Sequence, residues 1–281
     1  MMDGEHSMLN FYPQNLHTHS TFDDGRDSCE STIQRAIELG FDSIGFSGHS
    51  YMPYSPSYSM SPETTLDYKK EVCRLKEKYA GVIDVYCGIE FDMYSTDPLE
   101  GYEYIIGSLH YLLLDGEHVG FDRSAEEVKR IIDTHFHGDP LAFARAHFES
   151  LAQMPKYCRC DIVGHMDLLA KHNETMHFFD TESKEYRRYA LEAIDVLCRD
   201  VGIFEINTGC IPRGYRKNPY PDPFLLKSIR ERGGSIVISS DCHDNRYLNH
   251  GFADALELAR RCGFKEVLKL SGQGFVPCPL Y

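Results

Sequence analysis

Basic residues are scarce in this chain. Lys and Arg number 29 against 43 Asp and Glu, a net charge of −14 with histidine neutral. Proteins that grip nucleic acid or anionic membranes without sequence preference use basic surfaces, so neither partner is expected here. A phosphorylated small molecule stays open, because a metal ion or a few arginines reverse the sign locally. Also missing is any apolar run near the ~18 residues of a membrane span. Met1 to Asn10 carries Asp3, Glu5 and His6 and has no apolar signal-peptide core. There is no Gly-rich phosphate loop, no repeat, no low-complexity tract and no Pro/Ser linker long enough to split the chain. For 281 residues, a single domain spanning 1–281 is the expectation, a size ordinary for one α/β barrel. Ten cysteines are present, yet dense disulfides belong to small secreted domains. A reduced, cytoplasmic protein is expected. Cys158 and Cys160, spaced C-x-C without a second pair at metal-site spacing, read as structural.

What is present is an alternation of short apolar runs and helical patterns. Strands are expected at Asn15–His19, Asp42–Ser47, Val82–Glu90, Tyr104–Leu109, Cys160–Gly164, Ile203–Ile206, Ser235–Ser240 and Glu266–Leu270. Helices are expected at Glu30–Leu39, Pro62–Tyr79, Ala125–Phe136, Pro140–Lys156, Thr181–Val201, Pro223–Arg232 and Asp254–Cys262. Ser61 and Asp139 read as N-caps, and Gly40 as a helix-ending glycine. Tyr51–Pro62 is too proline-broken for an element, and Leu112–Asp122 reads as a second excursion. Buried strands alternating with helices mean a parallel α/β architecture. Without a Gly-rich fingerprint, a barrel is favoured over a doubly wound sheet.

Polar residues collect where the strands end. In chain order the ends carry His17-Thr18-His19 followed by Asp23-Asp24, then His49, Glu90, His110, His165-Met166-Asp167, Glu205-Ile206-Asn207 and Asp241-Cys242-His243. Barrel active sites lie at the C-terminal ends of strands. Residues i and i+2 of a strand share a side, so His17 and His19 aim at one spot, as do Asp241 and His243, while Thr18 and Cys242 point away. Nitrogen and oxygen ligands without thiolate suit zinc, manganese or iron. The candidates are enough for two to three divalent metals.

The segments "NLHTHSTFDDG", "GHS", "GIEFD", "IIGSLHY", "VGHMDL" and "SSDCHD" together resemble the polymerase-and-histidinol-phosphatase (PHP) superfamily. Within it, "MSPETTLDYKKEVCRLKEKY" and "YEYIIGSLHYLLLDGEHVGFD" are most similar to the stand-alone L-histidinol-phosphate phosphatases. The resemblance implies a distorted (β/α)7 TIM-like barrel with the metal site at the C-terminal ends of the strands. It implies a first metal on His17, His19, Glu90 and Asp241. Glu90 would bridge to a second metal, which adds His110 and His165. Asp24, His49 and His243 would hold a third. Two departures stand out: Gly48 where many members have an acidic residue, and Cys242 where many have Ala. Neither removes a ligand.

The implied reaction is phosphomonoester hydrolysis, L-histidinol phosphate and water giving L-histidinol and phosphate, by a metal-bridging hydroxide attacking phosphorus. Metal binding acidifies water toward a pKa of ~7. The third metal, or a water on it, would supply the proton or charge that the leaving oxygen needs; Asp24, His243 and Asp167 are the candidate catalytic residues there, with Asp167 alternatively orienting His165. "NTGCIPRGYRKNPYP" packs Arg213, Arg216 and Lys217 together. Arg213 and then Arg216 suit bidentate phosphate recognition, with Lys171 a further candidate. Tyr51, Tyr54, Tyr111, Asp92 and Glu174 could face the histidinol part. The partner is thus a small phosphorylated substrate, and the protein a monomer or small homo-oligomer. His6, His118, His135, His137, His147, His172, His177 and His250 receive no role beyond surface or packing. Three other readings stand beside this one. The first is a PHP phosphoesterase for nucleotides or phosphotyrosine. The second is a metal-dependent amidohydrolase-like hydrolase. The third is a degenerate metal-binding module.

Overall fold

The computed structural model describes residues 12–55 and 57–280, so His6 lies outside the described residues. The strands are β1 (Gln14–Asn15), β2 (Ser43–Phe46), β3 (Asp84–Asp92), β4 (Tyr104–Ser108), β5 (Tyr111–Leu114), β6 (Glu117–Gly120), β7 (Ile162–Val163), β8 (Ile203–Asn207), β9 (Ser235–Ser239), β10 (Glu266–Ser271) and β11 (Gly274–Pro279). The helices are α1 (Cys29–Glu38), α2 (Pro62–Lys78), α3 (Ala125–His135), α4 (Pro140–Leu151), α5 (Met154–Tyr157), α6 (Asn173–Met176), α7 (Lys184–Asp200), α8 (Pro223–Glu231) and α9 (Phe252–Arg261).

Seven strands form one sheet in the order β1-β2-β3-β4-β7-β8-β9, and every pairing in it is parallel. The sheet curls until its edges meet. His19 N–H donates to the Cys242 carbonyl at 2.9 Å and Cys242 N–H to the His17 carbonyl at 3.0 Å. This is the (β/α)7 barrel. The closure is also what brings the first ligand pair against the last, more than two hundred residues later in the chain.

Helix starts follow from local chemistry. Ser28, Ser61, Ser124, Asp139, Ser183 and Asp222 each accept a bond from a backbone N–H two or three residues on, worth about 1 kcal/mol apiece. Two glycines are needed for packing. A Cβ on Gly45 would sit 2.3 Å from the Tyr104 hydroxyl, and one on Gly88 2.2 Å from the Tyr104 ring. Both leave room for the buried Tyr104 across the barrel floor.

Three expectations change. The expected strand Glu266–Leu270 does not join the barrel: β10 pairs antiparallel with β11, which the sequence reading missed, around a tight turn at Gly272–Gly274. Leu112–Asp122 holds an antiparallel hairpin, β5–β6. Its Asp115-Gly116 turn has φ of 51° and 86°, the two-residue turn that twists with its strands. The expected helix Pro140–Lys156 ends at Leu151 and restarts at Met154, because Pro155 has no N–H to continue the ladder.

Candidate metal centre

The mouth of the barrel gathers side chains from seven places in the chain. Glu90, at the end of β3, sits in the middle. Its Oε2 lies 3.3 Å from His17 Nε2, 3.6 Å from His19 Nε2 and 2.9 Å from His49 Nδ1. Its Oε1 lies 2.9 Å from His165 Nε2 and 3.4 Å from His110 Nε2. Asp241 Oδ1 is 3.2 Å from His19 Nε2 and 3.7 Å from His17 Nε2. Asp24 Oδ1 is 3.1 Å from His243 Nε2 and 3.7 Å from His49 Nε2. Asp241 adopts φ of 47°, a left-handed conformation that Asp tolerates better than most residues. Its carbonyl then accepts from His243 Nδ1 at 2.9 Å.

Four overlapping groups keep their ligand atoms within 4.8 Å of one another: His19, Asp24, His49 and His243; His17, Glu90 and His165; His17, His19 and Asp241; and His49, Glu90 and His110. His49 therefore serves two neighbourhoods, one more than the resemblance implied for it.

The residues fit metal ions on a direct observation. His17 Nε2, His19 Nε2 and Glu90 Oε2 are buried and make no hydrogen bond. Buried polar atoms are almost always paired; these three converge on shared space instead. Charge points the same way. Burial disfavours a charged His17, yet Glu205, Glu90 and Asp241 outweigh it and hold its pKa well above the ordinary value. His19, against its burial, is pushed up to about 10 by Asp23 and Asp241. Burial also opposes the Glu90 anion, but His49, His17 and His110 hold it well below the usual carboxylate range. Protons here balance an acidic pile-up that cations would balance in their place.

The other ring nitrogens are spoken for. His17 Nδ1 meets Glu205 Oε2 at 2.9 Å, His19 Nδ1 meets Asp23 Oδ2 at 2.6 Å and His110 Nδ1 meets Asp92 Oδ2 at 3.3 Å. A carboxylate on Nδ1–H fixes the tautomer and leaves Nε2 free to ligate. These carboxylates are themselves held. Glu205 accepts from Ser239 Oγ, Asn207 Nδ2 and the His165 N–H, and Asp23 from the N–H groups of Ser20 and His49. Sequence reasoning gave none of the three this role. The i, i+4 spacing of His19 and Asp23 was the one local signal. Cys242 stands between two candidate ligands, but its Sγ faces the Asp244 carbonyl at 3.1 Å, and burial pushes its thiol up to about 12.

A pocket of about 270 Å³ opens over the centre, and Arg213, Lys171, Asp122, Arg123, Tyr58, Tyr215 and Tyr220 line it with the ligands. Arg213 Nη2 contacts Asp241 Oδ2 at 2.9 Å. Lys171 Nζ contacts Asp122 Oδ2 at 3.2 Å and lies 4.7 Å over the Tyr215 ring.

Arg216 and Asp167 go elsewhere, which corrects both expectations. Arg216 is buried, its Nη1 donates to Asp167 Oδ2 at 3.1 Å, and its guanidinium packs 4.6 Å over the Tyr220 ring. Asp167 also accepts the Asp222 N–H and makes no bond to His165. A buried guanidinium needs a carboxylate close by, and this pair supplies it. The two face a separate cleft with Glu174 and Lys217, so Glu174 is also removed from the metal pocket. Tyr54 and Tyr111 line a third cleft beside it, and Tyr51 offers its N–H to Asp97.

A barrel with a histidine-and-carboxylate cluster of this kind at its mouth defines a class of metal-dependent hydrolases. The PHP domain model matches residues 15–209, and the chain belongs to that family. A protein of Deinococcus radiodurans named "Probable histidinol-phosphatase" is 28% identical over 247 residues, covering 83% of this chain and 87% of that protein. The histidinol-phosphatase of Bacillus subtilis is 21% identical over 264 residues, covering 86% of this chain and 97% of its own. Among solved structures, the histidinol phosphate phosphatase of Lactococcus lactis, complexed with zinc, L-histidinol and phosphate, superposes with a TM-score of 0.72 at 18% identity. That match covers 94% of this chain and 98% of the other. The last similarity carries the fold.

Proposed function

We propose that this chain is a histidinol-phosphatase, hydrolysing L-histidinol phosphate to L-histidinol and inorganic phosphate with two to three divalent metals, zinc, manganese or iron, at the barrel mouth. The observation that carries the reading is the set of buried, unbonded ligand atoms on His17, His19 and Glu90; the names of the relatives supply the substrate. Bound metals would supply an acidified water as nucleophile and a Lewis acid for the phosphate oxygens.

The chain's own residues do the rest. His17, His19, Glu90 and Asp241 hold one site, Glu90, His110 and His165 the next, and Asp24, His49 and His243 the third. Arg213 and Lys171, which reach into the pocket, bind the phosphate oxygens. Asp24 and His243, 3.1 Å apart, would hold the third metal, which would offset the charge of the departing alkoxide. Glu205, Asp23 and Asp92 fix the imidazole tautomers. The same reading takes residues 1–281 as one cytoplasmic domain, acting as a monomer or small homo-oligomer on a soluble small molecule.

The test is phosphate release by metal-replete enzyme from L-histidinol phosphate beside a panel of nucleotides, phosphotyrosine and simple monoesters. A kcat/KM near ~10⁵ M⁻¹s⁻¹, about 10³-fold above the panel, is expected. Weak, equal rates on every ester would remove the named substrate.

A further inference from the structure

We propose that Asp122 selects phosphomonoesters of amino alcohols, by exchanging the Lys171 ammonium for the substrate's own. The inference rests on the phosphatase reading above and names the substrate chemistry that the same site prefers.

Among the described residues, four carboxylates line the pocket over the centre: Asp24, Glu90, Asp122 and Asp241. Three of them are candidate metal ligands. Asp122 is the one of the four outside the candidate ligand set, and it stands nearer the ligands than Glu117 and Glu127, which line only the neighbouring cleft. It also stands at a junction. A second cleft, of about 430 Å³, adjoins the pocket, and Asp122 and Arg123 line both. Phosphate bound at the ligands would therefore leave the alcohol portion pointing past Asp122 toward Tyr54, Tyr111 and His118, which offer flat ring surfaces.

The present partner of Asp122 gives the selection its force. Lys171 is largely buried and touches Asp122 Oδ2 at 3.2 Å. An entering phosphate dianion draws the Lys171 ammonium toward itself. Asp122 then faces the pocket without the cation it touches, which is costly. An ester with an ammonium near the ester oxygen replaces the lost cation; a neutral ester does not. The cost falls on the wrong substrate, which is how discrimination is gained without extra affinity for the right one.

The experiment measures, with metal-replete enzyme, the ratio of kcat/KM for two matched pairs: O-phosphoethanolamine over ethyl phosphate, and L-histidinol phosphate over its des-amino analogue. Wild type is expected to favour the ammonium ester by at least about tenfold in both pairs. Asp122→Asn should bring both ratios to within about threefold of one. Lys171→Met leaves Asp122 without its competitor, so the ratios should hold or rise, and this variant decides the matter if Asp122→Asn does not fold. A wild-type ratio near one, a ratio kept by Asp122→Asn, or a ratio lost in Lys171→Met would each overturn the proposal. If histidinol phosphate proves no better than the panel, the named substrate fails, while the phosphoethanolamine pair still judges Asp122.

Discussion

At the floor of the barrel, the Tyr104 hydroxyl is shared between the carbonyls of Leu16 at 2.5 Å and Phe46 at 3.0 Å. Gln14 exchanges bonds with Leu270 there, its Nε2 donating at 2.9 Å and its Oε1 accepting at 2.8 Å. At the mouth, a few residues along the same strands, buried nitrogens and a carboxylate oxygen are left without hydrogen bonds. One end has its polar groups satisfied by protein; the other keeps them for something the protein does not supply. Satisfied groups hold the fold together. Single unbonded atoms occur elsewhere, as at Thr65 and His147, but at the mouth three of them converge on one another, which marks where function acts.

The sharpest way to break this contrast is Glu90→Gln. Removing the central anion should cost several kcal/mol of transition-state stabilisation, about a thousandfold in kcat/KM, with metal content falling and the metal-free melting temperature changing little. A floor-like loss of stability with metal retained would contradict the division. Next comes the buried pair behind the mouth. Arg216→Ala strands the Asp167 carboxylate and should destabilise the fold by about 3–5 kcal/mol by urea unfolding, with metal content intact; metal loss at unchanged stability would return Arg216 to the site.

His147 sharpens the contrast through pH. It is fully buried, and burial lowers its pKa to about 4, below the ~6.5 of an unfolded chain. Its contribution is complete above that unfolded value and is lost as pH falls from about 6.5 toward 4, at up to ~1.4 kcal/mol per pH unit. Subtracting the urea-derived stability of His147→Gln from that of wild type over this range should reveal the slope; parallel curves would show that His147 is not buried neutral. The smallest effect is at the floor. Tyr104→Phe should cost about 1–2 kcal/mol and leave metal binding and kcat/KM as they were.

Much of the clustering at the mouth was legible in the sequence because it is local. His17-x-His19 and Asp241-x-His243 follow from strand periodicity, and Glu90, His110 and His165 end apolar runs. What was not legible depends on distant approaches. Glu205 meets His17 across 188 positions, and no spacing rule spans that. Arg213 and Arg216 share one short basic loop, and the choice between them is made by Asp167, 49 residues before Arg216, which pulls one arginine into the protein and leaves the other to the pocket. The Asp115-Gly116 hairpin carried a readable turn signal inside the Leu112–Asp122 excursion. The eighth candidate strand did carry a mark: β10, EVLKLS, has a single β-branched residue and an internal Lys269, where β9 reads SIVIS.

The most direct test of the account is to strip the protein with chelator, confirm the loss by elemental analysis and add zinc, manganese or iron back in steps while following phosphate release from L-histidinol phosphate. Activity should vanish on stripping and return as two to three equivalents per chain are bound. Full activity in protein shown to hold no metal would contradict it.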